Sequence, residues 1–172
     1  MDRASFERFY ERRAPALRSY LRYSCRNRAL ADDLLQETWL RLLCADLPEL
    51  EEPELKSYLY KTARSVMIDH FRKTAREQRF VDDDRFDAAL ESGAGAAQPD
   101  FALPDDVRRV LAELPERDRQ LLWLAHVEGF SHREIAPLIG VQENSVRVLL
   151  LRARERMAAL LEDQGMGPED TG

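Results

Sequence analysis

The chain has 172 residues, 44% of them apolar and 34% charged, with seven glycines, a makeup that fits one ordinary or two small soluble, helix-rich domains. No apolar run approaches the roughly 20 residues that a bilayer-spanning helix requires, and the opening MDRASFERFYERR has no stretch of signal-peptide type, so the cytoplasm is the expected compartment. The formal net charge of −6 is awkward for a nucleic-acid binder, but the acid is segregated: residues 1–80 carry 16 Lys+Arg against 13 Asp+Glu, residues 81–105 one against seven, and residues 106–172 nine against 12.

Phe6, Phe9, Tyr10, Leu17, Tyr20 and Leu21 recur at the spacing of one helical face, with Ser5 as the expected N-cap. Pro15 is expected to kink this segment or split it in two. A second helix is expected from about Ala29 to Leu43, burying Leu34, Leu35, Trp39, Leu42 and Leu43. Cys25 and Cys44 form no CxxC pair, and His70, His126 and His132 are not spaced as zinc ligands. Two buried thiols is the plain reading of the cysteines, and neither metal nor cofactor is expected. Residues 45–54, with two prolines and five acids, read as a loop.

The third helix, roughly Leu55 to Arg79, is the most informative of the first half. Residues 56–79 hold seven bases against two acids, whereas residues 30–55 hold one against eight. At about 100° per residue, Leu59, Ala63, Val66 and His70 form one stripe and read as core. Tyr58, Lys61, Ser65, Arg72 and Arg76 gather on the opposite side. Cations, a hydroxyl and an aromatic on one face suit single-stranded DNA, since phosphates take the cations and an unstacked base finds the ring. Alone, such a face reads more readily as a solvated surface than as a DNA contact.

From Phe80 to Pro104 the periodicity stops, and this acidic stretch rich in small residues is the natural domain boundary, with a short helical turn possible at Arg85–Leu90. Beyond it, Asp105–Leu114 places Val107, Val110, Leu111 and Leu114 on one side. Pro115 suits the first turn of the next helix, which is expected to end before Gly129. Ser131 with Glu134 makes a capping box, Gly140 ends that helix, and a last one runs from about Glu143 to Leu161. The tail GMGPEDTG should fray.

Residues 132–152, HREIAPLIGVQENSVRVLLLR, carry the strongest signal. A helix-turn-helix needs a small residue where its helices cross, a turn-former between them, and apolar residues that lock the angle. Ala136 fills the first place, Gly140 the second, and Ile135, Ile139, Val141 and Val146 the locking positions. On the second helix Val146, Leu149, Leu150, Ala153 and Met157 gather inward, leaving Arg147, Val148, Leu151 and Arg152 outward. Arginine donates two hydrogen bonds to guanine, and Val or Leu contacts a thymine methyl.

These segments carry a resemblance. DDLLQETWLRLL, residues 32–43, resembles the core-polymerase-binding helix in the second conserved region of bacterial sigma factors. LKSYLYKTARSVMIDHFRK, residues 55–73, is similar to the following helix, which opens and reads the start-proximal promoter element. LAELPERDRQLLWLAHVEGFSHREIAPLIGVQENSVRVLLLRARERM, residues 111–157, resembles the fourth conserved region, which reads the upstream element. Order, spacing and the absence of the regions between are similar to those of the extracytoplasmic-function group.

The resemblance implies an all-α fold of two small helical domains joined by an acidic linker: a region 2 bundle at 1–79, the linker at 80–104, a region 4 helix-turn-helix domain at 105–164, and a flexible tail at 165–172. It implies an alternative sigma factor, which is no enzyme. Asp32, Asp33, Gln36, Glu37 and Leu40 would dock on core RNA polymerase, the acids meeting a basic surface. Tyr58, Tyr60, Lys61, Arg64, Ser65, Asp69, Arg72, Lys73 and Arg76 would face melted start-proximal DNA. Ser131, Arg133, Asn144, Ser145, Arg147, Val148, Leu151, Arg152 and Arg154 would face the upstream element. An anti-sigma factor, often membrane-anchored, is implied as a further partner; no small-molecule substrate and no direct membrane insertion are expected.

The 25-residue linker stretches to at most about 80–90 Å, while a free coil averages nearer 25–30 Å. It is long enough to bridge two promoter elements but does not hold the domains apart unaided. In the family it threads the polymerase's basic interior, so weak promoter binding is expected of the free protein. The chain departs from the family pattern at Ser65, where Asn is usual; at Val148 and Leu149, where a polar or basic run is usual; and at Pro137, inside the first helix of the helix-turn-helix, where a kink is expected. The competing reading is a dimeric helix-turn-helix regulator that never replaces a polymerase subunit. An enzyme is disfavoured because Asp69–His70 has no nucleophile, metal set or phosphate-binding loop beside it.

Overall fold

A computed structural model describes residues 2–25, 27–78 and 104–165. The acidic segment up to residue 103, with the turn expected at Arg85–Leu90, and the tail beyond residue 165 lie outside the described residues. The architecture is all-α: α1 (Arg3–Cys25), α2 (Arg28–Cys44), α3 (Glu52–Gln78), α4 (Asp105–Glu113), α5 (Glu116–Leu122), a π-helical turn at Trp123–Val127, α6 (His132–Ile139) and α7 (Glu143–Asp163). The chain divides into two compact units, one carrying α1–α3 and the other α4–α7.

In the first unit, α2 packs against both α1 and α3. The cap of α1 is Asp2 rather than Ser5: its carboxylate accepts the Ser5 N–H at 2.8 Å, and its carbonyl accepts the Phe6 N–H at 3.0 Å. The Ser5 hydrogen bonds, the backbone one first, hold the Asp2 carboxyl below its ordinary range. The helix runs through Pro15 without splitting. Pro15 is exposed, so water can satisfy the carbonyl that the ring leaves unpaired. Asn27 caps α2 by accepting the Leu30 N–H at 3.0 Å.

Leu17, Leu21, Leu34, Leu35, Leu59, Ala63 and Val66 form the core, each at most 4% exposed. Trp39 gathers Phe6, Phe9 and Tyr10 around it, with ring centroids at 6.0, 6.0 and 4.8 Å, the edge-on arrangement that aromatic quadrupoles favour. Leu43, expected inside, is 58% exposed. Leu42 already occupies the core row one turn beyond Thr38 and Trp39, and Leu43 is rotated about 100° from it. The cysteines are not buried either: Cys25 is partly exposed and Cys44 exposed. Each is the last residue of its helix, where the side chain runs past the packed interface.

In the second unit, α7 packs against α4, α5 and α6. Val110, Leu114, Leu121, Leu124, Ile135, Leu138, Val146, Leu150 and Ala153 are each at most 1% exposed and form its core. Two charged residues share it. Asp118, 4% exposed, pairs with Arg156 of α7, and Arg119, 3% exposed, donates to the Leu114 carbonyl at the end of α4. The expected plain helix up to Glu128 instead widens, the Glu128 N–H reaching back five residues to the Trp123 carbonyl at 3.1 Å. Gly129, at φ 69°, then reverses the chain.

Candidate nucleic-acid interface

The first candidate surface lies on α3. Lys61, Ser65, Asp69, Arg72, Lys73 and Arg76 are exposed, and Tyr58 and Arg64 are partly exposed. Tyr60 is not on this surface: it is 1% exposed, its ring 5.2 Å from that of Tyr20. The spacing explains the correction, because Tyr60, Ala63 and Met67 form a second inward row beside Leu59, Ala63 and Val66. His70, at the end of the inward stripe, is only half-buried, its Nε2 3.4 Å from the Thr74 hydroxyl.

A second surface lies on α2. Asp33, Gln36, Glu37 and Leu40, at helical positions i, i+3, i+4 and i+7, share one strip. Leu40 is 56% exposed at its end. Asp32 turns away from this strip toward α1, its Oδ1 3.7 Å from Arg18 Nε and from Arg22 Nη2. The α2 and α3 surfaces are joined by Arg41, which donates to Glu37 at 2.7 Å and to Asp69 at 2.8 Å. Hydrogen bonds to Asp69 first and Glu37 second hold the guanidinium above its ordinary pKa. The Asp69 carboxylate within the basic row is thereby compensated. Residue counting missed Arg41, because a lone base in an acidic helix reads as solvated.

The third surface is the helix-turn-helix, α6 and α7. Ser131 and Glu134 form the expected capping box, with the Ser131 N–H donating to Glu134 Oε2 at 2.8 Å and the Glu134 N–H to Ser131 Oγ at 3.3 Å. The Ser131 hydroxyl is therefore committed to the cap. Gly140, at φ 73°, ends α6, and the Val141 N–H closes on the Ala136 carbonyl at 3.0 Å. Pro137 is exposed and α6 runs through it unbroken. Ile135, Ala136 and Val146 are buried, while Ile139 and Val141 are half-buried.

On α7, Arg147, Arg152 and Arg154 are exposed, Val148 is 47% exposed and Leu151 53%. Asn144 and Arg133 are exposed and Ser145 half-buried. A shallow polar depression lined by His132, Gln142, Glu143, Asn144 and Arg147 opens at the turn. Arg154 donates through Nε to His126 Nε2 at 3.2 Å, a contact that no sequence motif announced. Among the described residues no group of three or more His, Cys, Asp or Glu is placed to hold a metal ion.

Two family models match the chain: sigma-70 region 2 over residues 9–77, and sigma-70 region 4 over residues 105–157. Among curated proteins it is similar to the ECF RNA polymerase sigma factor EcfG of Rhodopseudomonas palustris, with 32% identity over 162 residues covering 91% of this chain and 87% of the relative. It is also similar to the RNA polymerase sigma factor CarQ of Myxococcus xanthus, with 32% identity over 165 residues covering 91% and 89%. The ECF sigma factor SigM of Bacillus subtilis matches at 26% identity over 135 residues, covering 78% and 82%. In fold it is similar to the sigma factor RpoE of Bartonella quintana, solved with the anti-sigma factor NepR, at TM-score 0.67 and 23% identity, covering 92% of this chain and 97% of that one.

Proposed function

Because the chain belongs to the extracytoplasmic-function group of the sigma-70 family, we propose that its units, spanning residues 1–79 and 105–164, divide promoter recognition between the exposed rows of α3 and α7. It is an alternative sigma factor, which binds core RNA polymerase and directs transcription initiation at chosen promoters. The observation that carries the division of labour is the outward row Arg147, Val148, Leu151 and Arg152 on a helix whose other side is locked into the second unit. An α-helix fits the major groove, where arginine reads guanine and aliphatic side chains meet thymine methyls.

The row Tyr58, Lys61, Arg64, Ser65, Arg72, Lys73 and Arg76 suits strand-separated DNA, with Tyr58 as the stacking platform. The α2 strip Asp33, Gln36, Glu37 and Leu40 docks on a basic polymerase surface that has room for a leucine. The work requires no cofactor and no catalysis by this chain. It belongs in the cytoplasm, where the polymerase is; among the described residues no helix is long and apolar enough to cross a membrane. The Bartonella quintana relative was captured with an anti-sigma factor, and a regulator of that kind is the expected partner of the free chain.

Transcription in vitro tests the proposal. Promoters are first identified by sequencing transcripts after overexpression. Core polymerase plus the chain then yields run-off products that neither yields alone, and joint Arg147→Ala and Arg152→Ala substitution abolishes them. Core-independent binding of the chain as a dimer, without run-off product, would favour a helix-turn-helix regulator instead.

A further inference from the structure

The π-helical turn at Trp123–Val127 keeps Trp123 and Leu124 in the core and leaves His126 exposed beside α7. Its Nε2 accepts the Nε–H of Arg154 at 3.2 Å. Arg147, Leu151 and Arg154 stand at positions i, i+4 and i+7 of α7 and so share one strip. An arginine carries five donors in a planar fork. When His126 takes the Nε–H, the rotation of that plane is fixed and both terminal amino groups remain for another acceptor. Wide π turns recur where a helix must present a side chain for function.

Resting on the reading of α7 as the upstream-element helix, we infer that His126 is a positioning residue, which orients Arg154 toward a DNA phosphate beside the groove that Arg147 and Leu151 enter. The imidazole is suited to the task. Desolvation by the packed turn, and after it the charge of Arg154, hold its pKa below the ordinary value, so at pH 8 it is neutral and keeps the lone pair that the contact needs. The charged group that acts on the ring is Arg154 of α7. Protonation removes the lone pair, places like charges together and frees the guanidinium.

The inference is tested with the full chain in holoenzyme, measuring the affinity of a labelled promoter duplex by fluorescence anisotropy. At pH 8 His126→Ala weakens binding by about three- to tenfold, the scale of one net hydrogen bond, and His126→Gln, which offers an amide oxygen, largely restores it. Arg154→Ala weakens binding and lowers the slope of log affinity against log salt by about one. The double variant binds no worse than Arg154→Ala alone. In the free chain, Arg154→Ala raises the His126 titration midpoint seen by NMR.

Independent, multiplying effects of His126→Ala and Arg154→Ala at pH 8 overturn the inference, as does a His126→Ala variant that melts early yet binds DNA normally. Loss of binding in Arg147→Ala but not in Arg154→Ala overturns it while sparing the reading of α7. Unchanged binding in Arg147→Ala, Arg152→Ala and Arg154→Ala together removes that reading and the inference with it.

Discussion

Tyr58 and Tyr60 are separated by two positions and divided by burial. Tyr60 sits in the core against Tyr20, so Tyr60→Ala leaves a cavity and costs about 3–5 kcal/mol, as aromatic truncations in cores do. Tyr58 is partly exposed on the basic row; Tyr58→Ala leaves thermal stability nearly unchanged and lowers affinity for a single-stranded start-proximal oligonucleotide in holoenzyme by about 1–3 kcal/mol. Paired melting curves and binding titrations check both, and exchanged phenotypes would refute the assignment. At this scale the sequence was a partial guide. The 100° wheel located the wet row from Tyr58 to Arg76, but the family pattern, applied position by position, carried Tyr60 along with its neighbours. A tyrosine satisfies a core and a DNA surface equally well, and only packing against α1 separates the two. Asp32 raised the same ambiguity: its charge promised an external partner, and Arg18 and Arg22 lie beside it inside the unit.

At the scale of elements, the helix-turn-helix was the most legible part of the chain because its signals are local. A capping box, a left-handed glycine and a small residue at the crossing each act within one or two turns, so their physics is written in adjacent letters. What holds α7 in place was not legible, because its partners are remote. Asp118 and Arg156 are 38 positions apart, and both read as solvent-facing until α5 and α7 are packed together. Asp118 is buried and Arg156 is half-open to water, its side chain 54% exposed, so removing the arginine strands a desolvated carboxylate. Arg156→Ala is expected to cost about 1.5–3 kcal/mol, the range for a hydrogen bond to a charged group. Adding Asp118→Asn recovers part of the loss, because the stranded charge is then gone. Urea titration followed by the fluorescence of Trp123, which is in the same unit, reads both. Equal loss in single and double variants would show that the pair is not the anchor.

For the whole molecule, composition left one ordinary or two small domains open, and the loss of periodicity after residue 79 pointed to the two compact units that the structure has. On the proposed reading of residues 80–104 as a linker, the second promoter contact is intramolecular but at only a modest effective concentration. The free chain is therefore expected to bind an intact promoter only weakly, with little gain over either element alone, whereas holoenzyme shows a large gain from having both. Gel shifts with single- and double-element duplexes, with and without core polymerase, provide the comparison. Tight two-element binding by the free chain would mean that the connection itself sets the spacing.

The length of α3 has one more consequence. Its 27 residues extend about 40 Å, and from Phe71 to Glu77 every side chain except Thr74 is exposed. Among the described residues no helix packs against the last two turns, so their own backbone ladder is most of what keeps them wound, and such a ladder is marginal without tertiary support. On the proposed reading of α3, the protein meets separated DNA strands with the portion of its scaffold that costs least to reshape. In that reading Arg72, Lys73 and Arg76 follow the path of an irregular backbone instead of demanding that the strand fit a rigid rod.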